Sequence, residues 1–317
     1  MRGKGTRLGL VITLIALMII GFSRWPKQHN DQVQVGIVQL VEQEPLDKVR
    51  AGFIDQLKQN GYEEGKNLKI RYRNANADQS NVTSIAQQFI GRNDLNFAIT
   101  TVSAQAMLAA DRDTPLIFSP ITDPIQAKLA TNWQHPDKNA TGTSDQVPLD
   151  QLLDHFQAAF PQMKRVGMIY NASEVNSKQQ FTRLQQEGKK RGIMIVGQTI
   201  TTTNDVASAI QTLIAKVDGI VLPTDNYITS AIPVIASAVK EANIPVMGSD
   251  EAQLAACVAT YGVDYYSLGQ QAGEMASQIL KGEKKAQDLP IQTAKQFHLE
   301  LNPDIAQALH VTKADFQ

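Results

Sequence analysis

A single cysteine, Cys257, stands among 317 residues. No intrachain disulfide framework can form, so the fold must rest on its apolar cores, although one cysteine does not fix the compartment. The five histidines are scattered with no second cysteine near them, which leaves no metal-ligand cluster and no metal is expected. Aromatic residues make up only 6%, a composition suited to small-residue α/β packing. Charge of one sign is also missing: 30 Lys and Arg against 31 Asp and Glu leave a net charge of −1. Such a balance argues against a nucleic-acid partner or a general pull toward anionic lipid. Neither a phosphate loop nor a GxGxxG run occurs, so nucleotide binding lacks its glycines and no cofactor is expected. No GxSxG elbow occurs either, and no residue is expected to be catalytic.

What is present is one layout written twice. Val35-Gly36-Ile37-Val38-Gln39 opens one half and Val166-Gly167-Met168-Ile169-Tyr170-Asn171 opens the other. Each is followed by a helical stretch, a glycine (Gly61 or Gly192) and a second apolar strand. Then come an Asn-led helix from Asn81 or Asn204, a third strand from Phe97 or Gly219, and a Pro-led strand near Thr114 or Ile244. Strands are expected near 33–39, 68–73, 97–101, 115–119, 165–170, 193–199, 218–223 and 244–248. Helices are expected near 46–60, 80–91, 103–110, 124–131, 149–159, 174–191, 204–216, 228–242 and 265–281. Strands alternating with helices of this length make βαβ units and parallel sheets. The 43% hydrophobic content supports two cores. The fold class is therefore α/β, with two Rossmann-like lobes joined by a hinge. Phe89, Ile90, Leu213 and Ile214 read as core residues.

Chain passages between the lobes are expected at Lys138–Pro148, at Ala259–Asp264 and after Lys281-Gly282. Lobe 1 then comprises 33–146 and 262–283, and lobe 2 comprises 147–261 and 284–317. The small residues Gly269, Ala272, Gly273 and Ala276 let the helix after the second passage pack close against a sheet, back on lobe 1. Ahead of Val33, Arg2, Lys4 and Arg7 precede an apolar run from Leu8 to Phe22, the layout of a secretory signal. Residues 1–32 are read as a signal peptide cleaved after Ser23, or as an uncleaved membrane anchor with Trp25 at the interface, followed by a tether. Export to the outer face of the membrane or secretion follows. No cysteine ends the run, which excludes a lipoprotein.

Polar turns follow the strands and converge on the cleft that two such lobes enclose. Gln39 and Glu42 occupy the first turn of lobe 1. Thr101 and Ser103 follow its third strand, where hydroxyls and free helix N–H groups suit a carboxylate. Thr122 and Asp123 follow the fourth strand, and Ser144 and Asp145 lie at the first passage. In lobe 2, Asn171, Glu174, Asn176 and Ser177 follow the first strand; Thr224, Asp225 and Asn226 follow the third; Asp250 follows the fourth. Each has a plainer reading as a helix cap, since Ser, Asp and Asn are favoured there. The mixture of hydroxyl, amide and carboxylate groups, with only Lys178 nearby as a cation, suits a zwitterion.

These residues resemble the solute-binding proteins of ABC transporters, the group that includes the tryptophan- and tyrosine-binding lipoproteins of Gram-positive bacteria. The likeness rests on GIVQLVEQEPLDKVRAGFIDQLKQNGYEEGKNLKI, PLIFSPITDP, NATGTSDQVP, VGMIYNASEVNS, VLPTDN and GVDYYSLGQQAGEMASQILKG in this order and spacing. It implies a periplasmic-binding-protein type I fold that closes on its ligand by hinge bending. It also implies an amino-acid carboxylate on Thr101, Ser103, Thr122 and Ser144. The ammonium falls on Asp123, Asp145 or Asp225, with Glu174 beside them. Asn171, Asn176, Ser177, Thr224 and Asn226 complete the second wall. The expected partners are a small molecule, an amino acid with aromatic ones favoured, and the membrane subunits of an ABC importer.

Two features depart from the family pattern. The lipoprotein cysteine is replaced by Phe22-Ser23-Arg24, and the first turn, Val41-Glu42-Gln43-Glu44-Pro45, is more acidic than the His-Pro type. A ligand-sensing receptor or regulator domain of the same fold is the alternative. No helix-turn-helix precedes Val33, and few residues precede Leu8 to form a cytoplasmic output. An enzyme built on Asp123 or Asp225 ranks last, because neither has a His, Lys or Cys partner nearby.

Overall fold

Two six-stranded sheets with the same strand order carry the protein. The computed structural model describes residues 32–317, so the leader and tether read at 1–32 lie, except for residue 32, outside the described residues. The first lobe contains β1 (Val33–Gln39), α1 (Glu44–Gln59), β2 (Leu68–Asn74), α2 (Gln79–Phe89), β3 (Leu95–Ile99), α3 (Thr101–Ala110), β4 (Leu116–Phe118) and β5 (Ala140–Ser144). The second contains α4 (Leu149–Ala159), β6 (Arg165–Asn171), α5 (Val175–Lys190), β7 (Met194–Ile200), α6 (Val206–Ile214), β8 (Gly219–Leu222), α7 (Asn226–Ser230), α8 (Ile232–Ala242), β9 (Val246–Gly248) and β10 (Ala259–Val263). The chain then runs through α9 (Tyr265–Leu280), β11 (Gln292–Thr293), β12 (Phe297–Leu301) and α10 (Pro303–Ala308).

The sheet orders are β11-β5-β4-β3-β1-β2 and β12-β10-β9-β8-β6-β7. Every pairing between named strands is parallel except β10 with β12. In each lobe the opening strand lies between the second and third, so crossovers leave on opposite sides of it. That reversal opens a crevice at the carboxyl ends of the strands, where ligands bind in open α/β sheets.

Alternation along β1 explains the layering. Val35 and Ile37 face a cluster with Phe53 and Leu57 of α1 and Leu268 and Ala272 of α9. Val38, with Leu40 just beyond the strand, joins Val82 and Phe89 of α2 and Met107 of α3 on the other face. Gly36 and Gly167 hold equivalent places in the repeat for the same steric reason. A Cβ on Gly36 would meet the Phe89 ring at 2.8 Å, and one on Gly167 would meet the Leu213 side chain at 2.8 Å. Phe89 and Leu213 are core, whereas Ile90 is 49% exposed because the chain leaves α2 there.

Several elements differ from expectation. The stretch expected as a helix at 124–131 is a run of turns, stopped by Lys128 at φ 58°. The expected helix at 228–242 breaks at Ala231, and Pro233 sits in the first turn of α8, where its missing N–H is tolerated. Two stretches read as passages are strands. β5 is made of Ala-Thr-Gly-Thr-Ser, all buried. Its hydroxyls are bonded internally: Thr141 Oγ1 donates to Leu289 O at 2.8 Å and Thr143 Oγ1 to Ser119 Oγ at 2.6 Å. β10 lies in the second sheet, and β11 returns to the first before β12 rejoins the second. The last passage therefore falls between Thr293 and Phe297, later than the 283/284 boundary. The glycines of α9, Gly269 and Gly273, have helix α1 as their closest neighbour rather than a sheet. A Cβ on Gly269 would lie 2.1 Å from Val49 O and one on Gly52 would lie 2.2 Å from Tyr266 O. Among the described residues no helix is long and apolar enough to cross a membrane.

Candidate functional site

Strand ends from both sheets meet in a narrow polar cleft. Its first wall is formed by Gln43, Pro45, Leu46, Thr100, Thr101, Pro120, Thr122, Asp145 and Tyr265. The second is formed by Asn176, Thr224, Asp225, Asn226, Thr229 and Asp250. The space left between the walls is about 20 Å³, comparable with the room one water needs. Hydrogen bonds cross the cleft. Gln43 Nε2 donates to Asn226 O at 2.9 Å and also to Ser230 Oγ. Tyr265 Oη donates to Asp250 Oδ2 at 3.0 Å, and Lys48 Nζ reaches Glu251 Oε1 at 2.5 Å near the rim.

The residues expected in the site divide by what their polar atoms already hold. Gln39 is fully buried but turned toward α1, donating to Val41 O and Asp47 Oδ1 and accepting from Arg50. Glu42 is exposed and accepts only a 3.5 Å contact from Tyr72. Asp123 caps the turn after it, accepting from the backbone of Ile125 and Gln126. Ser144 Oγ donates to Thr122 O, and Ser103 Oγ accepts from Thr100 at 3.4 Å; both serines are wholly buried behind the wall. Ser177 Oγ donates to Asp225 Oδ2 at 2.5 Å. Asp225 is saturated, since it also accepts from the backbone N–H groups of Asn171, Tyr227 and Ile228. It is the N-cap of α7 and braces the second wall.

A second set keeps atoms unengaged. Asp145 Oδ1 and Asn176 Oδ1, on residues that line the cleft, and Glu174 Oε1 and Asn171 Nδ2, on residues outside its lining, are buried without a hydrogen-bond partner. Natively folded proteins leave few such atoms, and each calls for a physical explanation. Thr101, Thr122, Thr224, Asn226 and Asp250 line the cavity beside them. Thr101 opens α3, and Thr100 before it holds φ 91° without a side-chain cap. The first-turn N–H groups of α3 are therefore free to meet an acceptor.

Electrostatics set this cleft apart. Asp145, Asp225 and Asp250 line it, Glu174 lies beside Asn176, and no Lys or Arg is among the lining residues. Burial pushes Asp145 up to about 7, with Asp250 raising it further and a hydrogen bond from Thr122 opposing. Burial likewise lifts Asp250 to about 6, against hydrogen bonds from Ala252 N and Tyr265. Glu174 and Asp225 face each other, and burial raises both. Four donors favour the charge on Asp225, so the proton of this pair sits on Glu174.

Gln43, Pro45, Leu46, Thr100, Pro120, Thr229 and Tyr265 line the cleft without having been singled out from sequence. Tyr265 had a visible signal, standing just after the helix-capping Asp264 in GVDYYSL. The others had none: Gln43, Thr100 and Pro120 lie in loops, Pro45 and Leu46 open α1 and Thr229 lies in α7, and nothing local marks which way each turns.

Comparison with known proteins agrees with this architecture. A family model described as ABC transporter substrate binding protein matches residues 34–316. A tyrosine-binding protein of Clostridioides difficile (strain R20291) is 39% identical over 284 residues, 89% of this chain and 82% of that protein. A Streptococcus ABC domain solved in complex with L-Trp shares 33% identity, covers 89% of this chain and 96% of its own, and superposes with a TM-score of 0.85. A ligand-free, open substrate-binding protein with adhesive properties from Clostridium difficile shares 37% identity over 88% of this chain and 95% of its own, with a TM-score of 0.71. The fold is that of the type I periplasmic-binding proteins. The chain belongs to the ABC transporter substrate-binding proteins, a family that captures solutes and does not convert them.

Proposed function

We propose that this protein is the extracytoplasmic capture component of an ABC importer and that it takes a free amino acid, aromatic ones favoured, into the interlobe cleft. One observation carries the reading: a wholly buried carboxyl, Asp145, presents an unpartnered oxygen to a cleft lined by no Lys or Arg. A buried acid in that state is answered by a ligand ammonium. The same cleft offers the first turn of α3, at Thr100 and Thr101, to the ligand carboxylate. Pro45, Leu46 and Pro120 give apolar surface for a flat side chain. The names of the tyrosine-binding and L-Trp-bound relatives support the aromatic preference. In this reading the basic and apolar stretch at the N-terminus is the export signal or anchor.

Closure of the lobes on ligand is part of the proposal. About 20 Å³ of space admits no amino acid, so the walls must part for entry. The chain superposes better on the L-Trp-bound relative than on the ligand-free, open one, at 0.85 against 0.71, although the latter is slightly more similar in sequence. That difference supports two lobe arrangements within the family, with ligand shifting the balance between them. A thermal-shift and calorimetry screen of the purified protein against the twenty amino acids, with peptides, nucleosides and sugars alongside, tests the assignment. A ligand at one hundred times its dissociation constant adds about 2.7 kcal/mol of stability. A response confined to sugars or nucleosides would overturn it.

A further inference from the structure

The two sheets end on edges of very different chemistry. β2 and β7 hold the same place in the repeat. Each is the second strand of its lobe, lies at the end of its sheet and pairs on one side only, with β1 or β6. An edge of this kind offers free N–H and C=O groups to any other strand, and natural proteins blunt it with charge. β2 is blunted by Lys69, Arg71 and Arg73. β7, Met-Ile-Val-Gly-Gln-Thr-Ile, carries no charged residue, and Met194 at its start is 63% exposed. The edges at the opposite ends of the sheets offer less: β11 is two residues long, and β12 is shorter than β7 and carries Glu300.

Backbone geometry fixes which groups of β7 are free. Met194 N donates to Lys164 O and Ile200 O accepts from Ala172 N, so both residues turn their backbone toward the β6 side. Alternation along the strand then turns the N–H and C=O of Ile195, Gly197 and Thr199 outward. Antiparallel pairing of two such edges about a two-fold axis at Gly197 sets Gly197 against Gly197 and Ile195 against Thr199. Each pair exchanges both hydrogen bonds. Between them Val196 meets Gln198 and Met194 meets Ile200, with no like charges opposed. The same operation on β2 would set Arg71 against Arg71 and Lys69 against Arg73, and like charges directly opposite are destabilising. A strand from another protein would cover this edge but bring a free edge of its own. A second copy covers both edges at once.

We infer that β7 is a self-association surface, through which two copies of this chain join antiparallel about Gly197 into one continuous sheet. The contact is isologous and closes at two chains. Antiparallel strands point the two clefts in opposite directions, so each copy keeps its own ligand site. The inference goes beyond the ligand reading and does not depend on it.

Sedimentation velocity of the purified protein across about 1–100 μM reads the association, and a monomer–dimer equilibrium is expected. Thr199→Pro removes an outward N–H and no bond within the chain, a change that an edge strand tolerates. It should weaken the dimer at least about tenfold, because each copy loses a bond to the other. Thr199→Val keeps the N–H and should leave the dimer as it was. Gln198→Lys gives β7 the kind of charge that β2 has and should also weaken the dimer. Each variant is checked for an unaltered melt. Monomer across the whole range overturns the inference. A dimer that neither folded Thr199→Pro nor folded Gln198→Lys weakens also overturns it, since the contact then lies elsewhere. Mass that grows past two chains does so as well, because a two-fold edge contact closes.

Discussion

Asp145→Asn should stabilise the ligand-free protein while weakening its hold on ligand. The side chain is fully buried, and burial moves its carboxyl from 3.8 to about 7. A rise of about three units corresponds to about 4 kcal/mol held against the ionised form. Because the folded protein binds this proton more tightly than the unfolded chain, stability falls as pH rises from about 4 to about 7 and then levels off. Asparagine has no proton to lose. The gain from the substitution should be near zero at pH 4, grow through that window, and reach about 1–4 kcal/mol at pH 8. The upper figure is a ceiling, because any water that reaches Asp145 through the cleft reduces the penalty on its ionised form. At about 2 °C per kcal/mol for a unit of this size, Tm at pH 8 rises by about 2–8 °C. Thermal melts of both proteins at pH 4, 6 and 8 measure it, with calorimetry for the ligand. A variant less stable at pH 8 than the unaltered protein, or a gain equal at pH 4 and pH 8, would refute the placement of Asp145 as a buried, uncompensated acid.

Other perturbations probe the frame around the site. Gly269→Ala places a methyl 2.1 Å from Val49 O, a backbone atom that cannot swing aside. Urea denaturation should show a loss of about 1–3 kcal/mol or more, and an unchanged midpoint would contradict the close crossing of α1 and α9. Lys48→Met removes the 2.5 Å ion pair with Glu251 across the cleft. Both side chains are more than a third exposed, so ligand affinity should drop by no more than about fivefold. The deficit should shrink in 0.5 M salt, as screening predicts. A salt-independent loss would mean that Lys48 acts through something other than charge.

Legibility differed sharply between elements. β1 and β6 announce themselves as apolar runs, and the strands and helices after them repeat in the same order, so the two-lobed α/β plan is visible in the chain. β5 is not, because Ala-Thr-Gly-Thr-Ser looks like a linker until its neighbours satisfy its hydroxyls. The turns at 124–131 mislead in the opposite direction, since nothing local predicts that Lys128 takes a left-handed conformation. In the site, position after a strand identifies the turns but not the direction of each side chain. In lobe 1 Gln39 ends β1 and Asp145 directly follows β5. One is held by Asp47 and Arg50, whereas the other keeps a bare oxygen in the cleft.

By itself the sequence determined the repeat, the parallel sheets and the edge of each lobe that bears polar turns. These follow from period and spacing, which are local properties carried by every strand and helix. Tertiary structure alone decided which acids remain uncompensated. Asp225 and Glu174 are both carboxyls and both buried, yet one collects four donors and the other leaves an oxygen unpaired. The donors of Asp225 come from places distant in the chain as well as from its own helix. A carboxyl's partners are set by packing between elements, and no spacing along one chain records them.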